Sequence, residues 1–127
     1  MLVLWHQAKF NCYCAMPLIN LRTNLPIIEC PEALLKAFST RLAEITGKPE
    51  AYVMTLLETD VPMTFAGSNK PCAYVEIRSI GALEPAVMSR VFCTLIQEKM
   101  GIAQDRVYIS FDDVPASAWG WNGKTFG

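Results

Sequence analysis

The sequence predicts an α/β fold, an α+β sandwich. Two βαβ units repeat with pseudo-twofold symmetry and lay two helices on one face of a four-stranded mixed sheet. Three observations carry this. Landmarks recur at a single offset: Pro31 and Pro85, Phe38 and Phe92, Gly47 and Gly101, Val53 and Val107, and Glu58 and Asp112 each stand 54 residues apart. Between each proline and its glycine, apolar residues keep helical spacing. The flanking segments are apolar and rich in β-formers. The two halves cover residues 17–70 and 71–127.

In chain order, residues 1–16 read apart from the rest. The first fifteen, MLVLWHQAKFNCYCA, have a short apolar start, one lysine and no sustained periodicity. They lack the basic n-region of a signal peptide, and their apolar run is too short for one. They fit a flexible extension, an added strand, or sequence upstream of the true start; Met16, a natural start, favours the last. Leu18-Ile19-Asn20-Leu21 is the first strand, opened by Pro17, an ordinary position for a strand proline. If the mature chain begins at Pro17, the same nitrogen is a secondary amine instead of an amide.

Pro31 suits a first helical turn, where a missing N–H is not needed. Leu34, Leu35, Phe38, Leu42 and Ile45 then form an apolar stripe, with Lys36, Arg41 and Glu44 opposite. Gly47 fits the left-handed position that ends a helix. Val53–Thr59 is the second strand and Ala73–Ile80 the third. Pro85 opens a second helix carrying Met88, Val91, Phe92, Leu95 and Ile96, which Gly101 closes, and Val107–Asp112 is the fourth strand. Cys30 and Glu84 at the N-cap positions are weak caps. Strand–helix–strand units cross over right-handedly into parallel pairs. Both helices on one face leave the other bare, and no segment supplies a third layer, so the chain is expected to self-associate.

Composition narrows the function. With 127 residues, 52% hydrophobic and 18% charged, the chain has the make-up of one folded domain and not of a disordered segment. A net charge of −1 gives no electrostatic footprint for nucleic acid or an anionic membrane. No apolar run reaches the roughly 20 residues needed to span a bilayer. Cys12, Cys14, Cys30, Cys72 and Cys93 are odd in number and loosely spaced, which points to reduced thiols in a cytoplasmic protein; export without a signal peptide stays open. His6 is the only histidine, so a zinc site is not expected.

Six short motifs then stand in a recognisable order: Met16-Pro17-Leu18-Ile19, Thr46-Gly47-Lys48-Pro49, Pro62-Met63-Thr64-Phe65, Ser79-Ile80-Gly81, Asp105-Arg106-Val107-Tyr108-Ile109 and Gly120-Trp121-Asn122-Gly123-Lys124-Thr125-Phe126. Each is weak alone; together, from Met16 to Gly127, they resemble the macrophage migration inhibitory factor family of the tautomerase superfamily. Asp112-Asp113-Val114-Pro115-Ala116 and Gly120-Trp121-Asn122-Gly123 look more like microbial and plant members than the vertebrate cytokine.

The resemblance implies a homotrimer whose active sites lie between subunits. It implies keto–enol tautomerisation of phenylpyruvate-type α-keto acids, with dopachrome analogues as test-tube substrates, after removal of the initiator methionine and without cofactor or metal. By the same resemblance, Pro17 is the catalytic base, Lys48 binds the substrate carboxylate, and the Ile80 backbone amide holds the substrate. Tyr108 comes from the adjacent subunit. Ser110 stands where the family has a substrate-contacting asparagine, and Trp119 and Phe126 add apolar wall. Without the resemblance, Lys48 is a loop lysine, Ile80 a strand end and Tyr108 a strand tyrosine. The cytokine's Cys-x-x-Cys is here Cys72-Ala73-Tyr74-Val75, so no dithiol chemistry is expected.

The chemistry fits an N-terminal proline. Moving a proton between carbon and oxygen needs a base whose pKa lies near the working pH. Burial among apolar groups and a nearby cation both disfavour the ammonium form and lower the amine's pKa. Two other readings accompany this one: a cytokine-like or interaction trimer with vestigial catalysis and an unknown receptor, or a silent trimer if residues 1–16 stay attached.

Overall fold

The computed structural model describes residues 16–127; the readings placed on the leading segment, on His6, and on Cys12 and Cys14 lie outside the described residues. The elements run β1 (Leu18–Thr23), α1 (Pro31–Thr46), β2 (Met54–Glu58), β3 (Ala73–Ser79), α2 (Pro85–Met100) and β4 (Val107–Asp113), followed by a short hairpin of β5 (Gly120–Trp121) and β6 (Lys124–Thr125). Each expected strand is recovered; β1 runs two residues further than expected, to Thr23, and the other strand ends shift by at most one residue.

The repeat is closely kept. Both helices begin at their prolines, and Gly47 and Gly101 close them with the same left-handed backbone, φ 70° and ψ 20°. That conformation costs a residue with a Cβ about 1–2 kcal/mol, which explains glycine at both points. In each half a 3₁₀ turn leads from the helix into the next strand, at Glu50–Tyr52 and at Gln104–Arg106. Neither Cys30 nor Glu84 makes a side-chain cap, as their residue types led one to expect.

The sheet order is β2-β1-β3-β4, with β1 parallel to β2, β3 parallel to β4, and β1 antiparallel to β3 at the centre. A mixed sheet follows directly from two βαβ units meeting along their first strands. Alternate residues decide the faces. Ile19, Leu21, Ala73, Val75 and Ile77 are buried in one core with Leu34, Phe38 and Leu42 of α1 and Met88, Phe92 and Ile96 of α2. The alternate set carries Leu18, Asn20 and Arg22 of β1, Met54 and Leu56 of β2, Tyr74 and Arg78 of β3, and Tyr108 and Ser110 of β4. Met54, Leu56 and Tyr108 stand exposed there.

The hairpin was not anticipated from the sequence. Trp121 pairs with Lys124 across Asn122-Gly123, both at positive φ. An Asn-Gly pair is the strongest two-residue hairpin signal. Val75 is fully buried in β3, so the position of the cytokine's second cysteine is a core valine here.

Candidate active site

The amino-terminal end of β1 opens onto a cavity of about 510 Å³, within the usual range for small-molecule sites. Pro17 lines it, with its ring fully buried. Its carbonyl accepts a hydrogen bond from the Met54 N–H at 3.1 Å, which ties the start of β1 to β2. The 3₁₀ turn before β2 brings in Tyr52 and Val53, and the end of β3 brings in Arg78. Val114 joins them because its N–H donates to the Ser79 carbonyl at 2.9 Å.

The far wall is aromatic. Trp119 and Trp121 line the cavity. Phe126 stacks on Trp121 with ring centroids 6.1 Å apart and planes inclined by 14°, and Tyr52 meets Trp121 edge-on at 6.2 Å. The Phe126 N–H donates to Ala116 and Trp119 carbonyls, at 3.1 and 3.3 Å, and so holds the hairpin over the opening. Such walls suit a flat apolar group. Among the lining residues Arg78 alone is charged; its Nη2 lies 3.0 Å from Asp112 Oδ2.

Of the residues expected from the sequence, Pro17 and Trp119 line this cavity together. Phe126 stands behind Trp121 as support. Lys48 follows the Gly47 cap, its N–H donating to the Ala43 carbonyl at 3.2 Å; it is half-buried and lies just outside the lining, three residues before Ala51. Ile80 is buried in the turn after β3, where the Gly81 N–H donates to Asp113 Oδ1 at 2.9 Å.

Tyr108 and Ser110 are not at the cavity in this subunit. Leu18, next to Pro17, pairs with Arg78, whereas Tyr108 pairs with Tyr74. From strand geometry Tyr108 is roughly 13 Å along the sheet and about 10 Å across it from Leu18. The residue is 67% exposed, and its ring meets Phe65 edge-on at 4.7 Å. Ser110 Oγ lies 2.7 Å from the Tyr74 hydroxyl. Beside them Arg106 is wholly structural: its guanidinium donates to the carbonyls of Phe65, Ser68, Lys70 and Pro71 at 2.9–3.1 Å, and lies 5.5 Å over the Phe65 ring.

Sequence reasoning did not single out Arg78, Tyr52 or Trp121. The alternation of buried Val75 and Ile77 with Tyr74, Glu76 and Arg78 was the available signal for the first, and Asn122-Gly123 for the last. Among the described residues no group of histidine, cysteine or carboxylate side chains is placed to hold a metal ion, and no helix is long and apolar enough to cross a membrane.

The model of the family described as macrophage migration inhibitory factor matches residues 16–127. The mouse macrophage migration inhibitory factor is 40% identical over 114 residues, spanning 87% of this chain and 99% of that protein. The homologue from Trichinella spiralis is 36% identical over 115 residues, 87% of this chain and all of that one. The crystal structure of the Prochlorococcus marinus homologue superposes with a TM-score of 0.84 at 50% identity, covering 87% of this chain and 99% of the other. The higher identity to a microbial homologue agrees with the leaning of the 112–123 segment. By family match, relatives and fold alike, the chain belongs to the macrophage migration inhibitory factor family.

Proposed function

We propose that this protein is a keto–enol tautomerase acting on phenylpyruvate-type α-keto acids, with the free amine of Pro17 as general base. The observation that carries the reading is the placing of Pro17: buried at the mouth of β1, in a cavity with aromatic walls and one cation. The reading requires that the mature chain begin at Pro17. The family match beginning at residue 16, and the spanning of 99% of the mouse relative by the matched segment, support that start.

In the reaction, the neutral amine takes a proton from C3 of the keto acid. The C–H electron pair becomes the C2–C3 double bond, the carbonyl π pair moves to oxygen, and the proton is delivered there to give the enol. The reverse direction uses the ammonium as acid. Apolar surroundings favour the neutral amine by penalising the ammonium. The Ile80 amide and Lys48 hold the substrate, and Tyr108 and Ser110 of a neighbouring subunit close the site in a homotrimer.

The test is enol–keto conversion of phenylpyruvate by protein shown by intact mass to start at Pro17. Pro17→Gly is expected to slow it by about 10²–10⁴-fold, the usual worth of a positioned base. Equal rates for the two proteins would refute the role given to Pro17. A native species lacking Met1–Met16 in the same mass spectrum is the expected companion result.

A further inference from the structure

We propose that Arg78 determines which substrates this cavity accepts: it pairs with a carboxylate of the ligand, with Asp112 as the positioning residue that holds the guanidinium in place. The inference rests on the tautomerase reading and adds Arg78 to Lys48 as a cation that meets the substrate's carboxylate and selects for it.

Arg78 is the only charged side chain in a lining otherwise made of aliphatic, aromatic and backbone surface. Its place is fixed by register. Arg78 sits opposite Leu18, the residue after Pro17, and in parallel register with Asp112. Directly opposed side chains lie about 4.5–5.5 Å apart at Cβ, so the cation stands at the Pro17 end of the cavity.

Its pairing leaves capacity. The contact to Asp112 runs through Nη2 at 3.0 Å, and the Arg78 side chain keeps 47% of its surface exposed. A guanidinium carries five N–H donors in a rigid fork suited to two carboxylate oxygens. Arg106 shows the opposite use, with its donors taken by four backbone carbonyls. Two cations of the same chain are therefore committed differently: one to a loop, one to the cavity.

Equilibrium binding to the full-length protein, measured calorimetrically, separates this from the reaction itself. The probes are phenylacetate and phenylacetamide, which share a ring and differ in charge. The wild-type protein is expected to bind the acid about tenfold more tightly, equivalent to roughly 1.4 kcal/mol. Arg78→Gln should erase that preference while moving the amide's affinity less than about twofold, and Arg78→Lys should keep part of it. An acid preference that survives Arg78→Gln but is lost in Lys48→Met would overturn the proposal in favour of Lys48. No acid preference in the wild type, or equal losses for acid and amide, would overturn it as well. If the preference is present but protein shown by intact mass to start at Pro17 fails to turn over phenylpyruvate, the tautomerase reading is refuted and the assignment of Arg78 stands.

Discussion

Glu50 is the residue that fastens the turn leading into the cavity. Its carboxylate accepts from Lys36 Nζ at 3.1 Å, with the Thr40 hydroxyl at 3.4 Å. The hydrogen bond from Lys36 is the main reason its carboxyl is held below the usual range, with the Ser39 hydroxyl adding to it. A carboxyl whose folded pKa is depressed stabilises the protein above its unfolded pKa and loses that contribution as pH falls through the folded one. Glu50→Gln is therefore expected to lower the urea midpoint near neutral pH. The gap to wild type should close as the pH drops below the carboxylate range, and unfolding curves at both ends check it. Cys93 shows the opposite sign, its thiol pushed up by burial. Cys93 is half-buried and Cys72 fully so, while Cys30 is exposed. Among these three, alkylation mapped by mass spectrometry should label Cys30 first in the native protein and reach Cys72 only on unfolding.

At the scale of elements, α1 and α2 meet through one aromatic pair. Phe38 and Phe92 are buried to 1% and 0% exposure, with centroids 5.7 Å apart at 48°. Either Phe→Ala change removes a large core side chain and should cost roughly 3–5 kcal/mol in denaturant unfolding. Because the rings touch, the double variant should lose less than the sum, and the shortfall measures their coupling. The same pair explains what was legible beforehand. Phe38 and Phe92 recur at the 54-residue offset because they are one position in two copies of a unit, as are the prolines that open the helices and the left-handed glycines that close them. Local chemistry reaches that far. The cavity is different, because it is assembled from the start of β1, the end of β3 and a late hairpin. Arg78 looks like any polar strand residue until register sets it beside Leu18, and Trp121 gains its role only when Asn122-Gly123 folds it back. Pro17 and Trp119 are legible in the sequence because the family motifs include or adjoin them, not because spacing alone points to a cavity.

The whole molecule turns on the bare face of the sheet. One subunit holds Pro17 at one end and Tyr108 at the other, separated by several residues of strand. On that face Met54 and Leu56 are exposed, and Asn20 Oδ1 is buried without a hydrogen-bond partner among the described residues. In the proposed homotrimer a second copy packs edge to edge, so that the Tyr108 end of one sheet meets the Pro17 end of the next, and three such steps close a ring. Closed heterologous rings of this kind build each site from two different chains. Subunits inactivated at different halves of the site must then complement each other. Pro17→Gly and Tyr108→Ala proteins, each starting at residue 17 and each weak or inactive alone, are expected to regain tautomerase activity when unfolded together and refolded as a mixture. With random assortment about one quarter of the sites combine an intact Pro17 with an intact neighbouring Tyr108. Activity near that fraction of wild type, with sedimentation reporting a trimer, is the expected result. Activity no greater than the sum of the two separate proteins would mean that Tyr108 acts within its own subunit or not at all.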